Sequence, residues 1–542
     1  MGRFCSVRLV VLSLAVLLVA AACSSDDEAA VPTTAAAVTT TAAAGATPTT
    51  TAPPPVSGGT VRMAERAAPA TLDPTQTSET QSGFAWQLAY ETLVLVTEGG
   101  ASIDPMLATD WTISDDGLVY SFNLREGVTF HNGEPFTADD VVFTFERLLS
   151  DGLPFSIALF PNLASVVETG PMSVDFIHSA PVASFLLQLG DPFVFGGAIL
   201  NREAGAAGDP NLEMVGTGPL KMISYDPLDK LVLERYEDYW GEPAKPDGVE
   251  VRYMPELMSQ LVALLAGDID LMVPDADVAL NLEGQDTVTI LPTPGCDYGQ
   301  VDFNNVGPLL DANVRRAIAL AIDREEIAEQ AYLGLAQPMG YTSSCFGWSI
   351  PSEDLPYYGQ DIDEAKRLLA EAGFADGLSI RFNHQAGVNA SSDRAQEVMQ
   401  AQLAEIGIDV TIETNEFGVW LDQYLSALEV EDAGGDATYD LTTFHSGFRS
   451  NPTAVLRIRT GRHGGGVPDG INEAYAAANE GLPEDYIANV NELVLLQAEN
   501  VFPGFKTVAF TVWVGYRNDQ VTGVDIEGTL NRRFLFDVTL VN

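Results

Sequence analysis

Residues Pro105 to Phe145 read PMLATDWTISDDGLVYSFNLREGVTFHNGEPFTADDVVFTF, and the turns and alternations in this stretch organise the rest of the chain. Ala108–Trp111 runs into Ser114-Asp115-Asp116-Gly117, four residues that favour or tolerate turn geometry. Val119 to Leu124 then alternates apolar and polar, the pattern of a half-buried strand. Arg125-Glu126-Gly127-Val128 and His131-Asn132-Gly133 are two further reversals, the second carrying an Asn-Gly of the kind that closes hairpins. Thr137 is a good helix N-cap, with Asp139 and Asp140 favourably placed in the first turn. The local physics predicts a hairpin followed by a capped helix.

The order of the residues says more. W-x-x-S-x-D-G-x-x-Y-x-F-x-L-R-x-G-V-x-F-H-N-G-x-P-F-T-A-D-D-V closely resembles the signature of the extracellular solute-binding proteins that serve dipeptide, oligopeptide and nickel ABC importers. Other words agree: Leu72-Asp73-Pro74 after a first strand at Gly59–Glu65, Gly216-Thr217-Gly218-Pro219, Ala263 to Leu271, and D-x-x-V-R-R-A-I-x-x-A-I-D-R from Asp311 to Arg324. The G-x-G at Gly216 lacks the third glycine and following helix of a phosphate loop. The resemblance spans about Gly58 to Asn542. It implies an α/β, two-lobed periplasmic-binding-protein-like fold (class II, three subdomains) that closes on a ligand about a hinge.

The 542 residues exceed one ordinary core, and the formal net charge of −49 disfavours nucleic acid or anionic membrane surfaces as partners. Arg3, Arg8 and the Val10–Val19 run form a signal peptide, the run being shorter than the ~20 residues that span a bilayer. It ends in Ala20-Ala21-Ala22-Cys23, which resembles the lipobox of bacterial lipoproteins, although Ala20 stands where leucine is commoner. Cleavage at a nearby alanine without lipidation is the alternative. Residues 23–57 are rich in Thr, Ala and Pro, a composition that cannot bury a core and reads as a tether. Once Cys5 leaves with the signal and Cys23 takes lipid, Cys296 and Cys345 remain. In an oxidising compartment they favour one disulfide, the alternative being two separate buried thiols.

Helical and strand periodicities place a helix at Phe84–Leu95, a hairpin at Val166–Ile177 and a strand at Tyr298–Asn304. They continue with a helix from Asp311 to Tyr332, a helix capped by Asp363, and further helix–strand units that end in closing strands at Val508–Tyr516 and from Gly523-Val524 into Phe534–Val538. The expected domains are a signal (1–22), a tether (23–57), a first lobe of 58–304 plus 508–542 with an inserted subdomain at about 91–205, and a second lobe of 305–507.

The sequence carries no H-E-x-x-H, C-x-x-C, G-x-S-x-G or Walker loop. Its five histidines lack metal spacing, and neither a metal nor a cofactor is expected. The resemblance implies ligand contacts from three regions. They are Ser78, Glu79 and Thr80; the hinge strand with Tyr298, Gln300 and Asp302; and Phe417 to Asn451, with Phe417, Trp420, His445, Phe448 and Arg449. Trp348 is a further aromatic candidate, and each of these residues has packing or solvation as its alternative role. In peptide-binding members an aspartate a few residues before a proline pairs with the ligand's α-ammonium. Here, before Pro452, that position holds Phe448 or Arg449. Arginine suits a carboxylate or phosphate instead, unless it meets solvent or a nearby acid.

The expectation is a monomeric lipoprotein receptor, anchored outside the cell membrane at Cys23, that captures a peptide or peptide-like solute for ABC permease subunits. A same-fold receptor for an oligosaccharide, an opine-like carboxylate or a metal chelate is the alternative. From another class, the alternative is a secreted hydrolase or surface scaffold.

Overall fold

A computed structural model describes residues 55–56, 58–76, 80–97, 102–151, 160, 162–191, 197–207, 209, 212–292, 297–341, 348–386, 390–426, 439–446, 467–526 and 532–541. The signal region, Cys23, most of the tether, Cys296 and Cys345 lie outside them.

The opening stretch folds as its sequence dictates. Ala108–Ile113 and Val119–Leu124 pair antiparallel. Their turn is tied by Ser114, whose hydroxyl donates to Asp116 Oδ1 (2.6 Å) and accepts from the Val119 N–H (2.9 Å). Gly133 closes the next reversal at φ +88°, a conformation that penalises any Cβ. The helix Ala138–Asp151 follows. Its cap works through Asp140, whose Oδ2 accepts from both the Thr137 N–H (3.0 Å) and the Thr137 hydroxyl (3.2 Å). The Leu163–Gly170 and Ser173–His178 hairpin completes a four-stranded antiparallel sheet. Phe145, Phe122 and Phe176 fill its core edge to face, with centroids 4.8 and 5.4 Å apart. Each such pair adds roughly 0.5–1.5 kcal/mol beyond burial.

Two larger sheets carry the rest. The first has seven strands, in the order Val288–Pro292, Trp513–Arg517, Leu271–Met272, Thr60–Glu65, Gly248–Tyr253, Lys230–Arg235 and Leu220–Asp226. The second has six: Ala336–Pro338, Gly504–Phe510, Asp297–Phe303, Leu441–Ser446, Leu378–Gln385 and Ile408–Asn415. The chain crosses from first to second between Pro292 and Asp297, and returns between Phe510 and Trp513. Asp297–Phe303 hydrogen-bonds on both sides within the second sheet, and the single strand expected over Val508–Tyr516 is two strands in different sheets. Order also begins before Gly58, because Pro55 and Val56 pair with Val541 and Leu540.

Other differences have local causes. The first helix is Thr80–Ala89, not Phe84–Leu95, because the Ala89 and Glu91 carbonyls accept from the N–H groups of Gly218 and Ile199 (2.9 Å each). The Asp311 helix stops at Ala321, and Asp323 caps a separate helix, Arg324–Gln330, by accepting from the Glu326 N–H at 3.0 Å. Asp361, not Asp363, caps Ile362–Glu371.

The segments flanking the four-stranded sheet also meet the helices Ile471–Glu480 and Tyr486–Asn500. Val96, Ala183 and Leu187 join a buried apolar cluster with Ile471, Ala474, Val490, Leu493 and Val494, and the Ala183 N–H donates to Asn479 O at 3.0 Å.

Candidate ligand cleft

The Asp297–Phe303 strand runs beside Gly504–Phe510 and Leu441–Ser446, so three elements converge where the chain passes between sheets. Lys506 lies opposite Gln300 across the ladder. Its ammonium sits 4.4 Å from the Tyr298 ring centroid and donates to Tyr341 O. Burial lowers the Lys506 pKa to about 7, against the opposing pull of Asp302. Gln300 donates from Nε2 to Asp302 Oδ1. Arg324 supports the backbone here: its Nε donates to Lys506 O at 2.9 Å and its guanidinium lies 4.8 Å from the Tyr358 ring centroid. Burial lowers Arg324 to about 10. Tyr341 donates its hydroxyl to Gly504 O at 2.8 Å.

Tyr298 and Asp302 are thus buried in a polar knot, with Gln300 partly exposed beside them. Trp420 is 3 % exposed. It donates from Nε1 to Thr442 Oγ1 (3.0 Å) and stacks on Tyr424, with ring centroids 5.3 Å apart. Tyr439 completes that cluster, and its backbone oxygen accepts from Asn304 Nδ2 at 3.1 Å. Trp420 thus packs against the strand Leu441–Ser446. Trp348 is half-buried against the apolar cluster that contains Ile471. Ser78, Glu79, Phe448 and Arg449 lie outside the described residues, as do the side chains of Thr80, Phe417 and His445.

Sequence reasoning missed Lys506, Arg324, Tyr341 and Tyr439. Lys506 carried a signal: it is the one charge in the strand GFKTVAF, Gly504–Phe510. The Gly216 loop is no anion cradle but a packing device. A Cβ at Gly216 would stand 2.0 Å from Ala89 O. Beside it, buried Glu91 accepts from Thr217 Oγ1, Tyr239 OH and Trp240 Nε1, each at 2.8 Å. Burial raises the Glu91 pKa despite these donors. His131 is held between Gly218 O (2.9 Å from Nε2) and the Gly216 N–H (3.3 Å from Nδ1), and burial lowers its pKa to about 4. Both are structural groups. Among the described residues no three His, Cys, Asp or Glu side chains gather to hold a metal, and no helix is long and apolar enough to cross a membrane.

Two sheet-based lobes joined by paired crossing strands define a two-lobed binding protein. The structure matches the periplasmic binding protein DppA from Helicobacter pylori, solved with the peptide STSA, at a TM-score of 0.72 and 26% identity over 90% of this chain and 98% of that one. NikA from Brucella suis, in complex with Fe(III)-EDTA, shares the fold at a TM-score of 0.75 and 21% identity, over 89% and 100% of the two chains. Heme-binding protein A of Haemophilus influenzae is 31% identical over 412 residues, 70% of this chain and 74% of the relative. The dipeptide-binding protein of Escherichia coli is 28% identical over 363 residues, 61% and 67% of the two. Residues 102–451 match the model for bacterial extracellular solute-binding proteins, family 5. The chain belongs to that family, and it is a transport receptor rather than an enzyme.

Proposed function

We propose that this receptor takes a peptide or peptide-like solute and delivers it to the permease subunits of an ABC importer, working as a monomer tethered to the outer face of the cell membrane through lipid on Cys23. The observation that carries the substrate class is the family match together with relatives named for dipeptides and, in Pseudomonas aeruginosa, di- and tripeptides. The ligand cleft lies between the lobes, with Tyr298, Gln300 and Asp302 on the crossing strand at its base. In this reading Ser78, Glu79 and Thr80, with Phe417, Trp420, His445 and Phe448 or Arg449, supply the remaining ligand contacts, as the family resemblance implies. Trp348 is a further aromatic in that set.

Arg449, or Phe448 beside it, narrows the class. Binding buries most of a small solute, so each charge on it needs a partner. A free α-ammonium would meet arginine or phenylalanine where peptide-binding relatives offer aspartate. The solute therefore carries an uncharged or anionic group at that end, as an N-blocked peptide does. Mass spectrometry of the compound co-purified with mature protein, with calorimetry against di- to pentapeptides, tests this. Arg449→Ala should cost roughly 2–5 kcal/mol of affinity for that compound. Micromolar binding of unmodified peptides, unchanged by the substitution, would overturn it.

A further inference from the structure

We infer that the groove between the helix Ala390–Glu405 and the edge strand Ile408–Asn415 is an outer subsite of the ligand cleft, built for a cationic, N–H-rich group such as an alkylammonium or guanidinium. The inference rests on the receptor reading above.

The register places the groove. Leu378–Gln385 runs parallel to Ile408–Asn415 and to Leu441–Ser446, and Ser446 pairs with Tyr298. The carboxyl ends of these three strands therefore lie level with the point where the chain arrives from the first sheet. His384 and Thr414 stand at that end, and Asp393 and Gln396 in the first turns of the helix. Together with Glu397 and Thr411 they line a cavity of about 650 Å³, within the usual range for small-solute pockets.

Its chemistry is one-sided. His384, 2 % exposed, is fixed with Nε2 2.6 Å from Asp393 Oδ1 and Nδ1 3.3 Å from Thr443 Oγ1. That leaves the ring committed, and Asp393 anchored at the groove wall. Glu397 follows one helical turn later, on the same face and exposed. Gln396 is 2 % exposed, and its Oε1 has no donor among the described residues. A buried acceptor without a donor is costly, and a ligand N–H relieves it.

The neighbouring cations are engaged elsewhere. Arg394 donates to Ala331 O and Ser391 Oγ (2.9 Å each) and reaches Asp277 Oδ2 (3.4 Å). Arg381 pairs with Asp440, Nε to Oδ2, at 3.3 Å. Gln400 Nε2 is spent on Val410 O at 2.7 Å. Two carboxylates and an orphan amide oxygen thus face a cavity whose described lining includes no lysine or arginine. A carboxylate-bearing group would be repelled there, and three His, Cys, Asp or Glu ligands for a metal are not assembled among the described residues.

The test uses agmatine and N-acetyl-Ala-Ala-Arg as cationic probes, with N-acetyl-Ala-Ala-citrulline as the neutral isostere, against the mature protein. Both cations should shift the assigned His384 imidazole signals in long-range ¹H–¹⁵N spectra, saturably. By calorimetry the arginine peptide should bind about tenfold tighter than the citrulline one. The exposed Glu397→Gln should erode that preference while leaving citrulline-peptide binding unchanged, whereas Gln396→Met should weaken both peptides, because the ureido and guanidinium N–H groups can meet the same oxygen. Tighter binding of agmatine than of the peptide would assign the groove to free cations; the reverse order would assign it to a side chain of the transported solute. If agmatine binds and no acetylated peptide does, the groove stands and the peptide reading fails. No His384 shift with either cation, an arginine preference untouched by Glu397→Gln, or binding of both peptides untouched by Gln396→Met would overturn the inference.

Discussion

Lys506→Met removes a buried ammonium while keeping most of its aliphatic stem. Lys506 is 4 % exposed, and burial takes its pKa from 10.5 down to about 7. The folded-state value is depressed, so the sign is fixed. Above pH 10.5 the amine is neutral folded or unfolded, and no cost of burying charge remains. As pH falls from there, the unfolded chain binds a proton that the folded chain refuses, and stability is lost until the folded group titrates near pH 7. That window corresponds to about 5 kcal/mol. The methionine variant lacks the titration but strands Tyr341 O, which loses its donor at roughly 1–3 kcal/mol. Denaturant unfolding of both proteins between pH 7 and pH 10 should show wild type gaining several kcal/mol relative to the variant as pH rises. All other titrating groups are common to the two and cancel. Parallel stability curves would refute the claim that burial depresses the Lys506 pKa.

Cys23→Ser should release the protein from cells in soluble form; a variant still sedimenting with membranes would place the anchor elsewhere. Thiol labelling of the denatured, unreduced mature protein should find no free cysteine if Cys296 and Cys345 are joined, and the long loop so closed would stabilise the fold by roughly 4–5 kcal/mol in the chain-entropy model. Two labelled thiols would end that idea. Gly216→Ala drives a Cβ to within 2.0 Å of Ala89 O, a backbone atom that cannot swing aside. It should destabilise the first lobe by roughly 1–3 kcal/mol, measured as a lowered urea midpoint, and unchanged stability would show that the loop and helix part freely.

The fold was legible wherever local chemistry and pattern agree. The Pro105–Phe145 stretch gave its hairpin and its helix from turn residues, alternation and a cap. The class of protein followed from the order of such words rather than from any one of them. What escaped was set by distant partners. The helix at Ala89 ends because Gly218 and Ile199 take over its neighbourhood's carbonyls, and no periodicity near Ala89 reports residues more than a hundred positions away. The split of Val508–Tyr516 between two sheets is equally invisible in an alternating run. Tyr298 and Asp302 were legible on their strand, but the amine beside them comes from Lys506, on a strand far along the chain that no pattern near Tyr298 reports. Trp420 shows the converse: an aromatic in the expected place whose indole is spent on Thr442 and Tyr424.

The apolar cluster shared by the segments flanking the four-stranded sheet and the helices Ile471–Glu480 and Tyr486–Asn500 bears on how the receptor opens. Parting the lobes would wet Val96, Ala183 and Leu187 on one side and Ile471, Ala474 and Val490 on the other. Wetting apolar surface raises heat capacity, and the penalty for it weakens on cooling. Opening at this seam is therefore a step with a thermal signature. The ligand-free protein should populate its open form more at low temperature, and solute binding should grow tighter as the seam's own preference for closure strengthens on warming.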